Sequence, residues 1–134
     1  MKKFLLCASV LAVSACAGQP EPLGPPVTLP SGPALTGAEV RSLVVGNTAT
    51  GQMSGSQATY TMYVAPGGAA ELKRPTGIEK GVWQITQDGQ LCMKWELFRD
   101  SENYCQNVYR EGAVYKFRNN TSVELLTIAP GRKL

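Results

Sequence analysis

The chain has 134 residues, with thirteen Lys and Arg against ten Asp and Glu, a formal net charge of +3, and no histidine. The missing imidazole excludes Ser-His-Asp and Cys-His catalysis and histidine-based zinc sites, because histidine is the commonest general base and metal ligand. Lys2 and Lys3 supply two of the three excess charges, and Lys73-Arg74 and Arg132-Lys133 are isolated pairs, so the clustered basic stripe of a nucleic-acid binder is lacking.

From the amino terminus, Lys2 and Lys3 precede an apolar run over residues 4–13 and then small residues, the three-part layout of a secretory signal. The run is about half the roughly 20 apolar residues a spanning helix needs. Val13-Ser14-Ala15-Cys16 resembles the lipobox of bacterial lipoproteins, an aliphatic residue, two small residues and a cysteine. The resemblance implies a signal peptide over residues 1–15, diacylglycerol on the Cys16 sulfur, and an acyl group such as palmitate on its new amino terminus. An ordinary signal peptide is the alternative, because Ala15-Cys16-Ala17 also satisfies the A-x-A pattern. Two or three acyl chains anchor a protein stably where one does not, so Cys16 would be a membrane tether. Ala17 at the sorting position resembles enterobacterial lipoproteins sent to the periplasmic face of the outer membrane.

With Cys7 in the signal and Cys16 consumed by lipid, Cys92 and Cys105 remain in an oxidising compartment, where disulfides persist. They are expected to pair with each other. Neither a C-x-x-C spacing nor a histidine supports a redox or metal reading, so no metal or cofactor is expected. Prolines at 20, 22, 25, 26, 30 and 33 then make residues 16–34 an extended spacer, with a reach of roughly 50 Å at about 3.1 Å per residue.

Residues 35–134 suit a single small domain. Thr36-Gly37-Ala38-Glu39 matches a capping box, with Leu35 and Val40 at the staple positions. Val40, Leu43 and Val44 form one apolar stripe and Gly46 a left-handed stop, giving a helix of about nine residues. Strands follow at Tyr60, Met62 and Val64, then over 69–73, 82–86, 91–98, 104–110, 113–118 and 121–129, each ended by turn residues. Asp88-Gly89 signals a hairpin. A two-residue loop there would pair Thr86 with Leu91, Gln84 with Met93 and Val82 with Trp95. Leu91, Met93, Trp95 and Leu97 would then face the core, with Trp83, Ile85 and Cys92 opposite. This register strains the disulfide: a strand running to Phe98 puts Cys92 across from Arg110, and cysteine Cα atoms beyond about 7 Å cannot be bridged. An earlier strand end with a wider loop resolves the conflict; a bridge to another part of the sheet is the alternative.

The fold expected is mainly β: one short helix, then an antiparallel meander closing into a small barrel or strongly curled sheet. Glu96, Asp100 and Glu102 cluster in sequence and Glu71 and Glu79 flank a loop, but these carboxylates read as solvated surface. Gly77-x-x-x-Gly81 lacks the strand and helix context of a phosphate loop, and Asn119-Asn120 reads as a turn. Of the aromatic residues, Tyr60, Tyr63, Tyr109 and Tyr115 are the candidate binding surface, on the outer sheet face or a barrel mouth. Leu35 to Arg41, Gly46-Asn47-Thr48, Gly81-Val82-Trp83, Asp88 to Cys92 and Cys105 together resemble a family of small exported α-proteobacterial proteins. That resemblance implies a helix, a β-meander and a disulfide, and no catalytic residues. Size, lipid anchor, disulfide and the G-x-W strand resemble, more weakly, outer-membrane lipoprotein barrels that inhibit secreted metalloproteases through an N-terminal trunk. The function expected is a non-enzymatic, lipid-anchored binding or structural module of the cell envelope with an envelope protein as partner; protease inhibition is the alternative.

Overall fold

A computed structural model describes residues 27–53 and 57–134. The expected signal, Cys16 and the first part of the spacer lie outside them. The elements are a helix α1 (Gly37–Val44) and eight strands: β1 (Asn47–Gln52), β2 (Thr59–Val64), β3 (Ala69–Arg74), β4 (Gly77–Ile85), β5 (Leu91–Trp95), β6 (Tyr104–Glu111), β7 (Val114–Arg118) and β8 (Val123–Pro130). A 3-10 turn, Phe98–Ser101, joins β5 to β6. Every strand pairs antiparallel with the next, and β8 returns to β1, closing an up-and-down barrel. Closure leaves no free sheet edge.

The capping box forms as the sequence indicates. Thr36 Oγ1 accepts the Glu39 amide at 3.3 Å, and Glu39 Oε2 accepts the Thr36 amide at 2.8 Å. The helix ends at Val44, followed by the extended cap residue Val45 and then left-handed Gly46. Val40 and Val44 are fully buried, each contributing about 1.5–3 kcal/mol by leaving water. Contacts of α1 with β1 and β4 set it across one opening of the barrel, beside Ile85 and the Gly89 turn. Ala49, Val64, Ala70, Leu91, Val108 and Phe117 fill the interior next to it.

The β4–β5 hairpin departs from the expected register. Ile85 pairs with Leu91, Trp83 with Met93 and Gly81 with Trp95, a one-residue shift that exchanges the two faces of β4. The loop has three residues rather than two. Gln90 O accepts the Thr86 amide, Thr86 O accepts the Gly89 amide, and Gly89 takes φ 89°, the turn-plus-left-handed-residue closure of a three-residue hairpin. Trp83 and Ile85 therefore join Leu91, Met93 and Trp95 inside, while Val82 faces solvent. Leu97, expected in the core, is 76% exposed because β5 stops at Trp95. That early stop makes Cys92 and Cys105 direct cross-strand partners, and they are disulfide-bonded. The first strand, β1, had no signal in the sequence reading: Asn47-Thr48-Ala49-Thr50-Gly51-Gln52 holds one apolar side chain. Pairing on both sides places it.

Part of the expected spacer follows the barrel wall. Lys116 Nζ donates to Thr28 Oγ1 and pairs with Glu111, which also accepts the Ser31 amide, and the Leu35 amide donates to Val108 O. Residues 27–35 thus lie against β6 and β7, and Lys116, on the outer face, is only 4% exposed beneath them.

Candidate functional site

Opposite α1, the barrel stays open. Here β1, β3, β5 and β7 end and β2, β4, β6 and β8 begin. A cavity of about 380 Å³ occupies this mouth, within the size range of small-molecule sites. An eight-stranded barrel is just wide enough to be filled by side chains or to leave room for one small ligand; side chains fill this one at the helix end, and the mouth keeps a cavity.

Two inward glycines make the room. A Cβ on Gly81 would lie 2.9 Å from Trp95 Cζ3 and 2.5 Å from Lys94 O, and one on Gly51 would lie 3.1 Å from the Tyr60 hydroxyl. Each gives its interior place to an aromatic side chain of the neighbouring strand, and both aromatics line the cavity. The remaining apolar wall is Met53, Met62, Leu72, Met93 and Phe98. Apart from Met1, these are all the methionines of the chain.

The polar lining is sparse and ordered. Glu124, on β8 and 9% exposed, accepts the Tyr60 hydroxyl at 2.6 Å and the Tyr104 hydroxyl at 3.1 Å. Gln106 Nε2 donates to Tyr104 Oη at 3.1 Å. Burial, and after it the Glu124 carboxylate, holds the Tyr60 hydroxyl far above the usual phenol range; burial also raises Tyr104. The Arg99 charge opposes both shifts. On the opposite wall Arg74 Nη2 donates to Glu79 Oε1 at 3.3 Å, and Glu79 Oε2 accepts the Leu97 and Phe98 amides, each at 3.2 Å. Glu79 is thus not the solvated loop carboxylate expected but 8% exposed, the inward residue that ties the β5–β6 connection to the rim.

That connection is conformationally costly. Arg99, Asp100 and Ser101 have φ of 57°, 52° and 60°, a left-handed conformation costing about 1–2 kcal/mol for each such residue. Three restraints hold it: the Glu79 carboxylate, a Ser101 hydroxyl donated to Glu96 O at 2.7 Å, and Arg99 stacked 3.7 Å above the Tyr104 ring centre. Arg99 also lies 5.2 Å from the Phe98 ring, and Arg74 4.9 Å from the same ring. Residues held in sparsely populated backbone conformations cluster at ligand clamps and switch regions, and of these three Arg99 lines the cavity.

The four nominated tyrosines are not brought together. Tyr60 lines the mouth. Tyr63 is on the outer face of β2, opposite Thr48 and Glu71. Tyr109 borders a separate polar hollow with Gln90 and Arg118, and Tyr115 is partly buried against the core beneath Arg110. Arg74, Arg99, Glu124 and the three methionines are the site residues that sequence reasoning passed over. The inward phase of their strands was the one available signal for Arg74, Glu124, Met62 and Met93; Arg99 in the turn and Met53 just past β1 had none. Among the described residues there is no cluster of three metal-ligating side chains and no helix long and apolar enough to cross a membrane. No family model, curated protein or solved structure matches the chain.

Proposed function

We propose that the chain is a lipid-anchored module of the bacterial envelope, acylated at Cys16, whose barrel binds a small ligand in its open mouth without catalysis. The observation that carries this reading is the asymmetry of the barrel: α1 stops one end, and the other keeps an apolar cavity with a few placed polar groups, the usual make-up of a ligand site. A binding role fits the state of the two buried carboxylates, since Glu124 is occupied by two tyrosine hydroxyls and Glu79 by Arg74 and two amides. The protease-inhibitor alternative would use the proline-rich segment, of which Thr28 and Ser31, with Leu35 just after it, are hydrogen-bonded to the barrel.

Two measurements test it. Radiolabelled palmitate should enter the wild-type protein and be lost in Cys16→Ser. The Cys16→Ser protein, purified without detergent, should bind a neutral apolar probe such as 1-decanol with saturable quenching of tryptophan fluorescence, since Trp95 lines the cavity. Label retained in the variant sinks the anchor; a linear, non-saturating response sinks the binding site.

A further inference from the structure

We propose that the mouth takes a flexible amphipathic anion, a medium-chain alkyl carboxylate, with its head at Arg99 and Arg74 and its tail among Met53, Met62 and Met93. This rests on the mouth being a binding site, and it names what that site selects.

Size comes first. At about 30 Å³ per water in the liquid, a cavity of about 380 Å³ has room for roughly a dozen non-hydrogen atoms. An alkyl carboxylate of ten carbons has that count.

The wall then decides between a rigid and a flexible body. Met53, Met62 and Met93 come from the end of β1, from β2 and from β5, so thioethers approach the cavity from separate parts of the barrel. Methionine is unbranched, with three rotatable bonds and a polarisable sulfur, and it re-packs around irregular apolar shapes. A chain with many conformers suits such a wall better than a fixed ring system.

Charge decides the head. Among the described residues the Arg99 guanidinium makes no ion pair or hydrogen bond, only ring contacts with Phe98 and Tyr104. Ring faces attract a cation but do not neutralise it. Arg74 spends Nη2 on Glu79, and its Nε is the one buried side-chain nitrogen or oxygen among the described residues without a partner. A buried donor left unpaired is costly, and an arginine fork is shaped for a carboxylate. A cationic head would meet the charge of both arginines and would have to displace two tyrosine hydroxyls from Glu124.

The test is calorimetric titration of the Cys16→Ser protein with decanoate, 1-decanol and decyltrimethylammonium, each below its aggregation threshold. Decanoate should bind about tenfold or more tighter than decanol, the span of a hydrogen bond to a charged group, and the ammonium should not bind. Arg99→Gln should remove most of that advantage, so that decanoate and decanol bind within a few-fold of each other. Phosphatidylglycerol vesicles, anionic but with esterified acyl chains, should fail to displace decanoate; displacement would overturn the free carboxylate in favour of a lipid headgroup. Equal binding of decanoate and decanol would overturn the anion while leaving the site. Tighter ammonium binding would overturn it in favour of Glu124. Binding of no probe by a folded barrel would overturn both the anion and the site.

Discussion

Tyr60 on β2 donates its hydroxyl to Glu124 on β8 across 2.6 Å, reaching over β1, the strand that lies between them. The bond passes through the place that a side chain on Gly51 would take. It therefore ties the barrel shut on the inside at the seam where the backbone ladder closes. Removing the hydroxyl with Tyr60→Phe leaves a buried carboxylate with one acceptor unpaired, which costs about 1.5–3 kcal/mol. Tyr104→Phe should cost less, because that phenol is only partly buried and its bond to Glu124 is longer. Urea denaturation of both variants checks the order; a Tyr104 variant less stable than the Tyr60 variant would contradict it.

The same bond sets an alkaline limit. The folded-state pKa of Tyr60 is raised, first by burial and then by Glu124. Stability from a group with a raised folded pKa is fully present below its unfolded pKa, about 10 for tyrosine, and is lost as pH rises above that value. The stability of the wild-type barrel should accordingly fall above about pH 10, and that of Tyr60→Phe should fall less steeply. Tyrosinate absorbance recorded with circular dichroism provides the check: Tyr60 should ionise only together with unfolding. Complete titration of all five tyrosines in a folded barrel would rule the account out.

Most of the fold was legible because its signals are local. The capping box at Thr36 and Glu39, and the turn residues at Gly67-Gly68 and Gly112, all act within a few residues of themselves, and these appear as read. β1 was not legible, because Asn47 to Gln52 is a strand by virtue of β2 and β8 rather than of its own composition. The β4–β5 register failed for a related reason: Asp88-Gly89 serves both two- and three-residue loops. Which loop forms is decided by Trp83 and Ile85 having to enter the core. The mouth was least legible. Arg74, Arg99 and Glu124 are distant in sequence; barrel closure brings together the inward phase of β3 and β8, which places Arg74 and Glu124, and the left-handed turn after β5, which places Arg99.

Gly81 tests the packing of that mouth. Its φ is ordinary, so conformational freedom is not the reason for glycine; the Trp95 ring lies over its Cα. Gly81→Ala must move the indole or the β5 backbone, and overpacking of this kind costs about 1–3 kcal/mol, occasionally more. Gly32→Ala, where an added Cβ meets nothing within 4 Å, should leave stability unchanged. Thermal unfolding of the two variants distinguishes the sites, and equal melting temperatures would remove the role assigned to Trp95.

The disulfide joins directly opposed residues of β5 and β6, thirteen apart in sequence, so its loop contains the whole left-handed turn. Cross-linking a loop of this size stabilises by roughly 3 kcal/mol in the chain-entropy model. Replacing Cys92 and Cys105 together by alanine should lower unfolding free energy by about 2–3 kcal/mol, with the barrel still formed at room temperature. Amide exchange should rise most over residues 97–103, where few backbone bonds remain. Uniformly faster exchange around the barrel would mean that the bridge holds the fold rather than the mouth.

Glu79 separates the stability of the mouth from its charge. Its Oε2 holds the Leu97 and Phe98 amides, and its Oε1 pairs with Arg74. Glu79→Gln keeps a carbonyl oxygen for the amides and gives up the ion pair, so it should cost about 1 kcal/mol, within the range of a single net hydrogen bond. Glu79→Ala leaves both amides and the arginine without their acceptor, and should cost about 1–3 kcal/mol. Exchange of the Leu97 and Phe98 amides should therefore quicken strongly in the alanine variant and little in the glutamine one. Affinity should move differently from stability: with its carboxylate removed, Arg74 has more of its charge available, so Glu79→Gln should be less stable than wild type yet bind decanoate several-fold tighter. Hydrogen exchange and calorimetry on the same preparations read both effects. A glutamine variant that loses stability and anion affinity together would show that Glu79 helps to build the anion site rather than compete for it.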